Sequence, residues 1–171
     1  MKKVILVVLG LFGTAVMVNA QNGNSGQTSE GSWFLEVNTG SFSTGNTSFS
    51  LTSSDGNTSW SAGIDGGYFV TENLAVKAGI GYNDPGDFSD GILVYKVGGK
   101  YYLNGQIPLG MDFTGLSFDG NGANWIGFQG GYAVFLGDMV ALEPGLRYNL
   151  TLDEADADSI FQAFVGFTIF L

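Results

Sequence analysis

The chain has neither cysteine nor histidine among its 171 residues. There is therefore no disulfide framework, no thiolate or imidazole to ligate a metal, and no nucleophile activated by a histidine base. A Ser-His-Asp hydrolase is excluded, and no cofactor is expected. Positive charge is also scarce: 6 Lys and Arg stand against 16 Asp and Glu, for a formal net charge of −10. The electrostatic attraction to phosphate that dominates nucleic-acid binding is missing, so neither DNA nor RNA is an expected partner. What is plentiful is glycine, with 28 residues, and aromatics, at 14% of the chain. A disordered acidic chain is poor in large apolar groups, and this one is not.

Only one long apolar run exists. Lys2 and Lys3 precede Val4 to Val18, which Gly and Thr alone interrupt, and Val18-Asn19-Ala20 closes it with small side chains. Residues 1–20 read as a secretory signal peptide cut after Ala20, because the run is shorter than the roughly 20 residues a helical bilayer span needs. Residues 21–31 are rich in Asn, Gly, Ser and Thr and read as an unstructured polar lead-in. Residues 32–171 form the single expected domain.

That domain alternates apolar with small or polar residues in eight stretches, near 32–42, 59–70, 74–82, 92–103, 106–114, 124–136, 139–150 and 159–171. Their lengths, about nine to thirteen residues, suit tilted membrane strands. Thr71-Glu72-Asn73, Asn104-Gly105 and Gly137-Asp138 are short links, and Asn-Gly is a strong tight-turn signal. Longer polar stretches at 43–58, 83–91, 115–123 and 151–158 alternate with them. The pattern predicts an all-β, up-and-down antiparallel barrel of eight strands.

The two faces of these strands differ in chemistry. One parity carries Trp33, Leu35, Val37, Trp60, Ile64, Val76, Ile80, Tyr95, Val97, Leu109, Met111, Phe128, Leu146, Val165 and Phe167, and holds no Asp, Glu, Lys or Arg. The other carries Glu36, Asp65, Lys77, Lys96, Lys100, Asp112, Glu143 and Arg147 among many glycines. A water-soluble barrel would place the bulky face inside and clothe its exterior with glycine, wasting the smallest side chains where space is unlimited. Placing the bulky face in lipid and the small one in a narrow lumen fits, and closure gives every backbone polar group a partner. Lys77, Lys96, Lys100 and Arg147 are all the cations left after the leader, and four acids balance them. The lumen is therefore expected to hold a neutral ion-pair network. The surplus acids lie mostly in the long connections, and Trp33, Tyr68, Tyr101 and Tyr132 at one end face Trp60, Tyr82, Phe113, Tyr148 and Phe161 at the other as two girdles.

With these features the mature chain resembles the small eight-stranded outer-membrane barrels of Gram-negative bacteria, the OmpA/OmpX type. The last stretch, Phe161-Gln162-Ala163-Phe164-Val165-Gly166-Phe167-Thr168-Ile169-Phe170-Leu171, is similar to the terminal strand that the outer-membrane assembly machinery recognises, although that family usually closes on Phe and this chain on Leu171. The resemblance implies an outer-membrane location, lipid and lipopolysaccharide as surroundings, and a monomer.

Three function classes then compete. An eight-stranded barrel encloses an interior that side chains just fill, which favours a structural or surface-interaction role. A narrow passive channel for ions or small apolar molecules, as in OmpW-like barrels, is the alternative that the glycine-rich lumen raises. A lipid-modifying enzyme is disfavoured, since barrel enzymes of that kind rely on Ser with His. In the loops, Asp84, Asp87 and Asp90, and Asp153, Asp156 and Asp158, offer closely spaced carboxylates suited to weak binding of a hard cation such as Ca²⁺, but neither group has the EF-hand arrangement. No metal site is read.

Overall fold

The period-two pattern folds into ten strands: β1 (Trp33–Thr39), β2 (Ser48–Ser54), β3 (Asn57–Thr71), β4 (Leu74–Asp84), β5 (Ile92–Leu103), β6 (Ile107–Phe118), β7 (Asn121–Gly131), β8 (Val134–Phe135), β9 (Val140–Thr151) and β10 (Ile160–Phe170). The structure is a computed structural model and describes residues 26–40, 47–54, 57–86, 91–118, 121–154 and 157–171. The expected leader, residues 21–25, and Asp55, Asp87, Phe88, Asp90, Asp119 and Asp156 lie outside the described residues.

Neighbouring strands pair antiparallel from β3 through β7 to β9 and β10, and β10 returns to β1, which pairs with β3. The sheet closes, so every strand in the ring has partners on both sides and no edge is left for water to satisfy. Asn104 and Gly105 both take positive φ, 53° and 69°, and Gln106 N–H closes the turn on Leu103 O at 3.2 Å. This is the mirror-image turn that matches strand twist and that Asn-Gly favours.

Four expectations are corrected. The wall has nine strands and not eight, because β2 occupies much of the stretch read as a loop at 43–58. Phe49 and Leu51 alternate with Ser48, Ser50 and Thr52, a period-two pattern too short and too polar to stand out beside the other stretches. β2 runs parallel to β1 at Asn38 and Thr39 and antiparallel to β3 from Ser50 to Ser54, so it widens the wall only at the end bearing the long connections. We term this the loop end, and the opposite one the turn end.

The stretch 124–136 is not one strand. β7 and β8 keep a single register against β9, from Gly131 opposite Gly145 to Val134 opposite Leu142. Between them Tyr132 donates to Pro144 O at 3.0 Å, and Pro144 has no N–H to return the bond. Ala133 N–H turns away to Gln106 O at 2.7 Å.

The lead-in is ordered from residue 26. Asn73 N–H donates to Thr28 O at 2.8 Å, the Thr28 hydroxyl meets Asn73 Oδ1 at 2.6 Å, and Gln27 Nε2 reaches Gly137 O at 2.7 Å. These bonds fold it across the turn end, where its polar groups satisfy those of two turns. The long-connection reading also shifts at Asp84, which ends β4 and accepts Gly86 N–H at 2.9 Å.

The core lies inside the ring and is stratified. Phe34, Phe69, Ala75, Tyr102, Ala133, Ala141 and Phe170 cluster at the turn end with Phe135 against them. Phe69 and Phe170 stack with centroids 6.4 Å apart, and Tyr102 meets Phe170 edge-on at 6.2 Å. Room for this floor comes from glycine: a Cβ on Gly67 would collide with the Phe34 ring. The outer wall is apolar by contrast, with Trp33, Val76, Ile80, Val97, Met111 and Phe128 exposed. The rings of cross-strand partners Trp33 and Tyr68 sit 4.9 Å apart at the turn end, and those of the diagonal neighbours Trp60 and Tyr82 5.8 Å apart at the loop end.

Candidate functional site

Alternation along each strand decides what enters the barrel, and it delivers eight of the nine charged strand residues to one side; the ninth, Asp84, ends β4 half-buried at the loop end. Glu36 comes from β1, Asp65 from β3, Lys77 from β4, Lys96 and Lys100 from β5, Asp112 from β6, and Glu143 and Arg147 from β9. None is more than 3% exposed.

Six of them form a chain of alternating sign. Lys96 meets Asp65 at 3.1 Å, Asp65 meets Lys77 at 3.1 Å, and Lys77 lies 3.8 Å from Glu36. Lys100 then joins Glu36 to Glu143, the latter at 2.5 Å. The Lys100 ammonium also stands 5.4 Å from the Phe34 ring centroid and 5.0 Å from that of Tyr102, where the negative ring faces attract it. This end of the ion chain thus rests directly on the aromatic floor.

The other two make a separate pair nearer the loop end. Arg147 presents both Nη atoms to Asp112, at 2.7 and 2.6 Å, in the planar fork that suits a carboxylate. Its remaining N–H groups reach Gln129 Oε1 at 2.9 Å, Asn149 Oδ1 at 2.7 Å and Thr114 Oγ1 at 3.4 Å. The guanidinium has this space because β7 passes with Gly127, whose Cβ would strike it.

Burying ions is costly unless every lone pair and proton is used. Uncharged neighbours complete the set here. Asn38 donates to Glu36 at 2.8 Å, Tyr102 Oη and Thr168 Oγ1 donate to Glu143 Oε1 at 2.7 and 3.1 Å, and Thr114 donates to Asp112 at 2.7 Å. Thr47, just ahead of β2, donates to Asp65 and accepts from Lys96 at 2.9 Å. Reading the sequence for charge found the ions and missed these partners, since an inward Thr, Asn or Gln looks like any other small polar residue of that face. Thr47 carries no signal at all, because it stands outside the period-two stretches.

The arrangement is chemically closed. Cations and carboxylates pair with one another and with hydroxyls and amides, which leaves no carboxylate poised as a lone acid or base. Two loop carboxylates take structural partners: Asp84 accepts Gly86 N–H, and Asp153 accepts Asn124 N–H and Nδ2 at 2.8 and 3.1 Å, while the Asp158 backbone carbonyl accepts Trp125 Nε1 at 3.2 Å. Among the described residues no three acidic side chains converge as a metal site.

Known structures share this architecture. The N-terminal β-barrel domain of Pseudomonas aeruginosa OprF is similar with a TM-score of 0.55 and 11% sequence identity, over 83% of this chain and 98% of that domain. A de novo designed transmembrane β-barrel is similar with a TM-score of 0.48 and 15% identity, over 85% of this chain and 99% of that one. No protein-family model matches the chain. No curated protein matches it either. The likeness to the OprF domain shows the fold, a closed β-barrel.

Proposed function

We propose that this chain is an integral outer-membrane β-barrel with a structural or surface-presenting role, standing in lipid on its apolar wall and filled by its own ion pairs. One observation carries the reading: every charged strand residue but Asp84, which ends β4 at the loop end, is buried inside the ring while large apolar side chains are exposed around it. In water that distribution would expose a continuous apolar belt, which soluble monomers avoid. In a bilayer it is the stable arrangement, with the paired aromatics at the two interfaces.

An aqueous path is not what the interior offers. The aromatic floor fills the turn end, the ion chain fills the middle, and Trp125 is buried toward the loop end. The reading extends to partners: lipopolysaccharide around the outer wall, the assembly machinery engaging β10, and a monomeric state. Signal-peptide removal after Ala20 and weak Ca²⁺ binding by the loop carboxylates belong to the same proposal. Purified protein added to planar bilayers tests the central part. Insertion without stable conductance steps supports a filled barrel, whereas reproducible ion-sized steps favour the channel reading.

A further inference from the structure

Asp84 is the one charged strand residue on the outward parity. Ile80, Tyr82 and Asp84 follow one another on that side of β4, while Asn83 between the last two is buried. Its cross-strand partner is the exposed Trp60 on β3, so the carboxylate stands at the level of the Trp60 and Tyr82 rings that mark the loop-end interface. The chain has no cation to give it. Lys77, Lys96, Lys100 and Arg147 are every Lys and Arg beyond residue 3, and all four are buried inside the ring. Among the described residues its one hydrogen bond comes from Gly86 N–H and uses Oδ1 alone.

On the turn-end side of Asp84 the outer wall is dented. A groove of about 440 Å³ opens over Ala62, walled by Ile64, Ile80, Tyr82 and Leu93. Tyr82 is the direct cross-strand partner of Ala62, yet its ring does not cover the alanine. The ring leans toward the loop end, with its centroid 5.8 Å from that of Trp60 and its hydroxyl where a Cβ on Gly91 would stand. The small side chain is therefore left at the bottom of a slot between larger ones. From Ile80 to Asp84 is four residues of strand, about 13 Å, so one amphiphile spans from the slot to the carboxylate.

We propose that this groove docks one lipid whose headgroup ends in a primary ammonium, with an acyl chain lying against Ala62 and the ammonium paired with Asp84. Charge complementarity selects the headgroup. A primary ammonium brings three donors and the opposite charge, and its hydrogen bonds to a carboxylate are of the strong, charge-assisted kind. A trimethylated ammonium has no N–H to donate, and a head that is only anionic meets repulsion from Asp84. The inference rests on the reading of the apolar wall as lipid-facing and adds which lipid that wall holds.

The test refolds the full chain into vesicles of phosphatidylethanolamine, phosphatidylcholine and phosphatidylglycerol in equal parts with identical acyl chains. Insertion is read by protection from protease, and the lipid retained on release into mild detergent by native mass spectrometry. One phosphatidylethanolamine per barrel is expected, favoured over phosphatidylcholine by about tenfold, the size of one charge-assisted hydrogen bond. Asp84→Asn keeps an acceptor for Gly86 N–H and is expected to bring that ratio to about one. Ala62→Trp fills the slot and is expected to abolish retention, whereas Leu146→Trp, outward on β9, leaves it unchanged. Insertion with equal retention of the three lipids overturns the docking site alone, as does preference for the anionic lipid. An unchanged ratio in Asp84→Asn overturns the ammonium pairing, and full retention in Ala62→Trp overturns the groove. Failure to insert overturns the outer-membrane reading and the docked lipid with it.

Discussion

Arg147 and Asp112 face each other from β9 and β6 across an interior in which both guanidinium Nη groups bond the carboxylate, at 2.7 and 2.6 Å. The two strands are not neighbours; β7 runs between them and contributes Gly127 at the point of crossing. The pair therefore ties three strands together, and its removal is a sensitive probe of the interior.

Arg147→Ala leaves the Asp112 carboxylate buried without its partner. Breaking a buried pair by deleting one member costs about 3–5 kcal/mol. A urea midpoint lowered to that extent in lipid vesicles is expected. The double variant Arg147→Met with Asp112→Leu removes both charges and is expected to recover most of the loss, because well-packed apolar replacements of a buried pair are near neutral.

Gly127→Leu tests why glycine lines this face. A side chain there enters the space of the Arg147 guanidinium. The expected result is a loss comparable to Arg147→Ala, and the loss is expected to shrink when the two substitutions are combined, since the guanidinium, the closest group the new side chain meets, is then gone and only the Asp112 carboxylate still crowds it. A double-mutant cycle in urea checks the sign of the coupling.

Pro144→Ala supplies the missing N–H opposite Tyr132. The repaired ladder is expected to join β7 and β8 into one strand and to slow amide exchange at Ala133 and Val134, read by hydrogen-exchange mass spectrometry. Global stability is expected to move by less than about 1 kcal/mol, because one added hydrogen bond and the lost rigidity of proline oppose each other at similar size.

How far the fold was legible follows from where the period is clean. In β4, β5 and β9 each inward Lys, Glu or Arg has an outward Leu, Val or Tyr beside it, so its face can be read without the structure. β2 escaped because its inward residues are Ser and its apolar pair, Phe49 and Leu51, is too brief to raise a signal. The break at Tyr132 escaped for a different reason: its cause, Pro144, lies on another strand, and only the pairing brings them together. The charged residues of the interior were legible one at a time, but their connectivity was not. Which lysine meets which carboxylate depends on the stagger between strands that closure imposes. The hydroxyl of Thr47 was invisible for the same reason, and more so, since Thr47 stands outside the period-two stretches.

The account's central claim is that the exposed apolar wall meets lipid and the charged parity does not. Val97, 58% exposed and at the middle of β5, sits beside the buried Lys96 and decides between the two faces. Val97→Lys is expected to destabilise the barrel in vesicles by about 2–4 kcal/mol, the cost of a cation at the bilayer midplane. The more direct reading uses Val97→Cys carrying a fluorophore, refolded into vesicles whose acyl chains are brominated near the bilayer centre. The prediction is strong quenching by the brominated chains and none by aqueous iodide. Quenching by iodide, with no response to the bromine, would contradict the sidedness on which the proposed function rests.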